Sequence, residues 1–560
     1  MAVSQTIATI PQAPSRADPA NFVKRHEAVL NRLETLPGEM NTWKNQVNST
    51  QTAINASELQ ADQSATTATN AASLALSYSN AKQYAGGTTY APGEIVIGSN
   101  GTAYRRLNTS AAGDDPVTSS TGNWTPAITA LGAMSTFDLI CRIAGMQPTL
   151  YLNAKEQDYR IYSPATGLTR KALTDIVTTT RASDGAIWTP TSKLVQLTDD
   201  APRVTFDPAT GVGEGLLVEE ARTNLLTYSE QFSGGGWTVQ GGVLSDEDVG
   251  RKLASNIDGV IKLELSHGIS PPEGQYSFTI VAEPRELHYV MVRLSSAGVT
   301  DVRVNVNLLD FSLNTNIPVD VFIRNVGKDK VEIQIHNVYL PDASSFVQIY
   351  ARATNSTFTS ATDTLEIGDG LVLHRAQLEA GSFPTSYIPT TTAAATRAAD
   401  AIKIDGTAFS DFFNPNEFTV VTSVKTIDSE NIPAANSRRH LFVLRNDSNN
   451  NPRIFVFEQL NWIHAIFARD GSELSLVNLG PLTENVTVAL SYTEAQLDIS
   501  VNGAAIISTD YFSGETDSFT NLYLGHQYGS RYLNSTIKHI DAYAKALPSA
   551  TLQQLSALVI

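Results

Sequence analysis

At 560 residues the chain is too long for one hydrophobic core and should divide into roughly three to five domains. Its 39 basic against 56 acidic residues give a net charge of −17, with no Lys/Arg-rich stripe carrying interleaved aromatics, which argues against nucleic acid as a partner. The single cysteine, Cys141, excludes an intrachain disulfide and a paired-cysteine metal knuckle.

Residues 1–19 are rich in Pro, Ala and Ser without a period, as expected of an extended attachment arm. The arm lacks a charged region followed by a continuous apolar one, and no run of about eighteen apolar residues occurs, so folding in the host cytoplasm without membrane insertion is expected. Asp18 and Pro19 suit the start of a helix, which Pro37-Gly38 interrupts. Val29, Leu33, Leu36, Met40, Trp43, Val47 and Ile54 then follow a spacing of mostly three and four that fades into Ala, Ser and Thr up to Tyr78. This is a coiled-coil seam. Its thinning stripe cannot bury enough surface in one chain, so 20–84 is expected to be a helical stem joining parallel copies, with two strands or three left open by the heptads.

Residues 85–128 predict a small β module: Ile95-Val96, an Asn100-Gly101 turn, Tyr104 to Leu107, and Trp124. Residues 129–236 read as a linker and β-rich region, with a short helix at 137–146 and strands around Tyr151, Tyr159 and Tyr162. In 237–400, strand-length alternations at 275–281, 288–294, 302–308, 331–336 and 345–351 predict an antiparallel sandwich. A second all-β block, 401–560, has strands at 418–424, 440–444, 454–458, 486–492, 497–501 and 521–525. It ends in a helix at 550–558 capped by Ser549. The fold class is therefore mainly β: a helical stem, a small β module and two antiparallel sandwiches.

Four segments carry a family resemblance. DPANFVKRHEAVLNRLETLPGEMN resembles the N-termini of bacteriophage tail proteins, which implies attachment to a tail or baseplate. YAPGEIVIGSNGTAYRRL through GNWTP is similar to small chitin-binding modules, with Tyr104 and Trp124 in the aromatic positions. TRASDGAIW and FDPATGVGEGLLVEEARTNLLTYSEQF, and later AQLEAGSFPTSYIPTTTAAATRAAD, resemble a frame of phage proteins that encloses a jelly roll like a carbohydrate-binding module. The last block, with LDISVNGAAI and NLYLGHQYGSRYLNSTIKHIDAYAKALPSATLQQLSAL, looks like a concanavalin A-like or laminin G-like sandwich. The resemblance implies a homotrimeric tail fibre of the virion, anchored by its N-terminus, whose tip recognises host surface polysaccharide or lipopolysaccharide.

Sugar recognition needs an apolar face beside groups that hydrogen-bond hydroxyls. Candidate glycan contacts are Tyr104 and Trp124 in the small module, and Trp462, Tyr523, His526, Tyr528 and Arg531 in the last block. The alternative for each aromatic is a place in a core. Glu219 and Glu220 are adjacent, hence on opposite faces of a strand, and are expected to bond Arg222 and local backbone rather than act as paired acids. No catalytic motif is found, and no metal or cofactor is expected; the oxygen-rich run 446–451 reads as a hairpin loop rather than a calcium site. A collar, baseplate or adaptor fibre without glycan binding is the alternative function, and a polysaccharide depolymerase a third.

Overall fold

The computed structural model describes residues 82–558 except for 92–93, 98–102, 107–114, 118–122, 127–134, 248–249, 355–361, 427–437, 448–452, 470–471, 494–495, 511–518 and 528. The predicted arm and the seam residues Val29 to Ile54 lie outside the described residues, as do the Asn100-Gly101 turn, Tyr528 and most of the 446–451 run. The chain divides into two compact units, Met1–Ser135 and Thr136–Ile560.

In the first unit the strand Lys82–Gln83 pairs parallel with Ile95–Ile97, which continues antiparallel into Ala103–Arg106 and Trp124–Pro126. Trp124 is directly opposite Arg106 in this register, and both are buried. Tyr84 and Tyr90 meet the Trp124 ring edge-on at 6.2 and 5.5 Å, and the Arg106 guanidinium lies 4.6 Å over it. One large ring thus gives this small sheet its core.

The second unit holds two sandwiches, one threaded into the other. The jelly roll pairs a six-stranded sheet containing Glu264–Ile269, Ser345–Arg352 and Tyr289–Ser296 with another containing Gly370–Ala380, Gly274–Pro284 and Val331–Leu340. Period-two alternation decides which side chains it buries. Ile333 and Ile335 face the interior with Phe278 and Ile280, which leaves Glu332 and Gln334 on the outer face.

The second sandwich is discontinuous in sequence. Ser535–Tyr543 pairs with Leu150–Asn153 through Ile540↔Leu152, and with Gly213–Val218 through Leu217↔Thr536. In the opposing seven-stranded sheet Ala401–Ile404 sits between Asn521–Leu524 and Thr178–Thr180. The 129–236 region therefore supplies strands to both sheets of the sandwich that the 401–560 block completes. The jelly roll departs after Arg222–Asn224 and returns at Ala395–Arg397, and these two strands pair with each other.

Strand Glu417–Lys425 is buried on both faces because both are covered. Phe418 and Val420 enter the sandwich core, whereas Val421 packs outward with Phe137 and Ile140 of helix Thr136–Ala144 and Leu552 and Leu555 of helix Ser549–Ser556. Each such burial stabilises by about 1.5–3 kcal/mol. The last helix begins after Pro548 without a side-chain cap; Ser549, expected as the cap, donates instead to Asp498 at 3.1 Å. Cys141 is half-buried against these helices, and burial, with Asp541 and Asp138 nearby, pushes its thiol up to about 12.

Candidate ligand-binding clefts at the sandwich junction

The two signature segments that frame the jelly roll meet in a buried ionic knot. Asp400 accepts from Arg181 Nη1 at 3.0 Å, from Arg203 Nε at 3.2 Å and from Arg203 Nη2, and it also takes the Glu219 N–H at 2.9 Å. Glu219 accepts from Arg203 Nη2 at 2.6 Å and from the N–H and hydroxyl of Ser386 at 2.8 and 2.6 Å, with Arg397 at 3.5 Å. Every one of these charged side chains is at most 6% exposed. Backbone carbonyls of Ser183, Ala201 and Thr198 accept from Arg181, and the Ala186 carbonyl and the Ser386 hydroxyl oxygen accept from Arg203. Burial opposes ionisation of Glu219, but Arg397, Arg203 and Ser386 outweigh it and hold its carboxyl down at about 2. Of the two acids expected to bond Arg222 and local backbone, Glu220 pairs with Arg222 at 2.5 Å, whereas Glu219, on the opposite face, turns into the knot.

Two clefts flank the knot. The first, about 250 Å³, lies against the outer face of the jelly-roll sheet and is charge-balanced. Thr279, Gln334, Arg324 and Glu332 line it on that side, with Lys425 and Glu214, 3.2 Å apart, on the side of the second sandwich. Glu332 accepts from Arg324 at 2.7 Å and from Gln334 Nε2 at 2.8 Å. Burial disfavours the Glu332 carboxylate, yet Arg324 and Arg375 keep its carboxyl below the usual range. The Arg375 guanidinium lies 5.0 Å over Trp188 and 5.5 Å over Tyr387, so a cation caps both rings.

The second cleft, about 540 Å³, is lined among the described residues by Arg222, Arg438, Arg439 and Arg531 with the acid Glu220, together with Phe383 and Tyr532. Signature strand, jelly-roll return loop, hairpin strand and Gly-containing turn each contribute, so residues far apart in sequence converge there.

Of the sequence-predicted contacts, Arg531 is exposed and lines this second cleft. Tyr523 is buried with Val443, Phe455, Phe457 and Ile466, and its hydroxyl donates to Asp447 at 2.6 Å. His526 is also interior. Gly529 N–H approaches its Nδ1 at 3.1 Å, Ile402 N–H and carbonyl oxygen lie 2.9 and 3.0 Å from its Nε2, and burial lowers its pKa to about 4. Tyr523 and His526 therefore support the turn from beneath rather than offering a face to a ligand. Trp462 is 43% exposed beside a tight turn at Leu460-Asn461, away from both clefts' linings. Trp124 is in the small core, and Tyr104, half-buried, is two residues from Arg106 on the same strand face. Sequence reasoning missed Arg222, Arg438 and Arg439; the adjacent arginines 438 and 439, in an acidic chain, were the available signal. Among the described residues no cluster of three or more His, Cys, Asp or Glu could hold a metal ion.

No family model matches the chain, and no curated protein matches it. Among solved structures, domain 4 of the extracellular arabinanase AbnA from Geobacillus stearothermophilus, in complex with arabinotriose, is 17% identical, covers 31% of this chain and 81% of that one, and has a TM-score of 0.21. Mouse laminin α1 domains LG4-5 are 11% identical over 60% of this chain and 91% of that one, with a TM-score of 0.18. Sheep galectin-11 in complex with glycerol is 11% identical over 23% and 90%, also at 0.18. The β-sandwich description stands on the strand registers above, and no ligand or activity is taken from these likenesses.

Proposed function

We propose that this chain is a homotrimeric bacteriophage tail fibre that attaches to the tail or baseplate through its N-terminal arm and recognises host surface glycan through its β-sandwich unit. The phage-like signatures support the fibre reading, because the two that frame the jelly roll supply Arg181, Glu219, Arg397 and Asp400 to the knot, which Arg203, three residues before the FDPATG stretch, completes. The observation that carries glycan recognition is the charge-balanced cleft, where Gln334, Thr279, Arg324 and Lys425 converge on a water-sized to sugar-sized space. Amides, hydroxyls and paired charges are the groups that hold a neutral polyol in place without a strong field. A shallow site of this kind binds weakly alone; three parallel copies raise its avidity through effective concentration.

The test is binding of the purified full chain to host cells, with its mass in solution measured by sedimentation. A trimer that binds, and loses most of that binding in Gln334→Ala with an unchanged melting temperature, supports the reading. A chain that enters virions but binds no cell moves the function to an adaptor or collar fibre. Release of reducing sugar from host polysaccharide would instead make it a depolymerase.

A further inference from the structure

We infer that Phe322 is the stacking platform of an extended site on the outer face of the jelly-roll sheet, which takes a neutral oligosaccharide rather than a single sugar. The sugar chemistry rests on the proposed glycan reading; the platform and its extent stand on the strand register. Strand Asp320–Asn325 is the end strand of the sheet that contains Gly274–Pro284 and Val331–Leu340. Val321 and Ile323 pack against the core, so Asp320, Phe322 and Arg324 face outward. Directly opposite them in the register are His336, Gln334 and Glu332. Arg324, Glu332 and Gln334 line the charge-balanced cleft, and Asp320 and His336 line a separate cavity of about 340 Å³ at the other end of the row. Phe322 is thus the ridge between two cavities, and at about 3.4 Å per residue the row from Arg324 to Asp320 runs roughly 13 Å. A chain that fills the row puts one sugar in each cavity and one on the ring between them.

The ring is held in place and open on one side. It lies over the buried His336 imidazole, with centroids 4.5 Å apart and planes tilted by 32°. Phe322 is nevertheless 47% exposed, so the face turned away from His336 meets solvent. A chain of contacts fixes the base beneath it: Arg324 is 2.7 Å from Glu332, Gln334 Nε2 donates to Glu332 at 2.8 Å, and His336 Nε2 is 3.2 Å from Gln334 Oε1. Burial lowers the His336 pKa to about 4, so its imidazole is neutral at physiological pH. Each cation along the row already faces a carboxylate: Arg324 and Arg375 face Glu332 at 2.7 and 3.6 Å, and Lys425 faces Glu214. An anionic sugar would have to compete with those partners, whereas a neutral one needs only the ring for its C–H face and the amide and charged edges for its hydroxyls.

Calorimetric titration of the full chain with size-fractionated fragments of the purified host surface polysaccharide, from monosaccharide to hexasaccharide, tests this. The expected result is a rise of about tenfold or more in affinity from mono- to trisaccharide, changing by less than about twofold as salt rises from roughly 0.05 to 0.3 M. Phe322→Ala should lose about tenfold for the trisaccharide and longer fragments, with its melting temperature unchanged. Phe322→Leu, which keeps an apolar cover over His336 without a π face, should lose as much, and Phe322→Trp should retain the affinity. Affinity that is independent of length, or unchanged in both Phe322→Ala and Phe322→Leu, overturns the inference. So does a steep fall with salt, which assigns a charged saccharide, or a smaller mass of Phe322→Ala by sedimentation with fragment binding intact, which assigns the ring to a contact between copies. If fragments bind Phe322→Ala fully but not Gln334→Ala, the glycan reading stands and only the platform falls. If the wild-type chain binds neither fragments nor cells, the glycan reading falls and the platform with it.

Discussion

Replacing Asp400 by Asn removes one negative charge from a site that packs Arg181, Arg203 and Arg397 together, and keeps the side-chain volume nearly constant. The wild-type carboxylate accepts four hydrogen bonds, three of them from guanidinium nitrogens. An amide can offer only one oxygen there, and its NH₂ must point at a guanidinium donor. Breaking a buried ion pair by removing one partner costs about 3–5 kcal/mol, because the surviving charge stays desolvated. Against a typical total of about 5–15 kcal/mol that is a large fraction, and it should lower the melting temperature by at least about 5 °C. Differential scanning calorimetry of the full chain, with urea titration as a second probe, measures it. A shift under about 1 °C in Asp400→Asn would refute the claim that the knot holds the sandwich junction together.

Three further outcomes follow from the same geometry. Glu219, held at about 2 against an ordinary 4.5, has a depressed folded value. Its stabilisation is therefore present above pH 4.5 and lost as pH falls toward 2, amounting to about 3 kcal/mol, and Glu219→Gln should flatten that acid limb in pH-dependent urea unfolding. Glu379 is the opposite case. Burial raises its carboxyl to about 7, with Arg222 and Thr385 pulling the other way, so its favourable protonated form is fully present below pH 4.5 and lost as pH rises through 7. Glu379→Gln should consequently stabilise by about 2–3 kcal/mol near pH 8.5 and by little near pH 5, as read by paired melts. Gly381 has φ +129°, and a Cβ there would overlap the Arg222 guanidinium, so Gly381→Ala should displace that group at a cost of about 1–3 kcal/mol; an unchanged melting temperature would contradict this packing.

Local structure was legible where side-chain period decided it. The alternations at 331–336 and 345–351 are the strands Val331–Leu340 and Ser345–Arg352, and 486–492 is Asn485–Thr493. What alternation cannot disclose is partnership across hundreds of residues. Nothing in Leu150 to Asn153 names Ser535–Tyr543 as the strand beside it, so the threading of one sandwich into the other emerges only in three dimensions. It has a practical consequence: a fragment 401–560 leaves out Leu150–Asn153, Thr178–Thr180 and Gly213–Val218, and should aggregate through its open sheet edges, whereas 136–560 should be monodisperse by size-exclusion chromatography. The site was legible in part. Arg531 stood out in a polar, aromatic turn, but Tyr523 sits on a strand whose two faces are both buried, so aromatic identity was no guide to exposure. Arg222 has no local signature, and Arg438 and Arg439 have only their adjacency in an acidic chain, since the meaning of all three comes from convergence.

The most direct test of glycan recognition is binding of the full chain to host cells before and after their surface polysaccharide is stripped. The account predicts saturable binding to intact cells that is lost on stripping and reduced in Gln334→Ala. Binding that is equal on intact and stripped cells, or absent from both while the chain is present in virions, would contradict it.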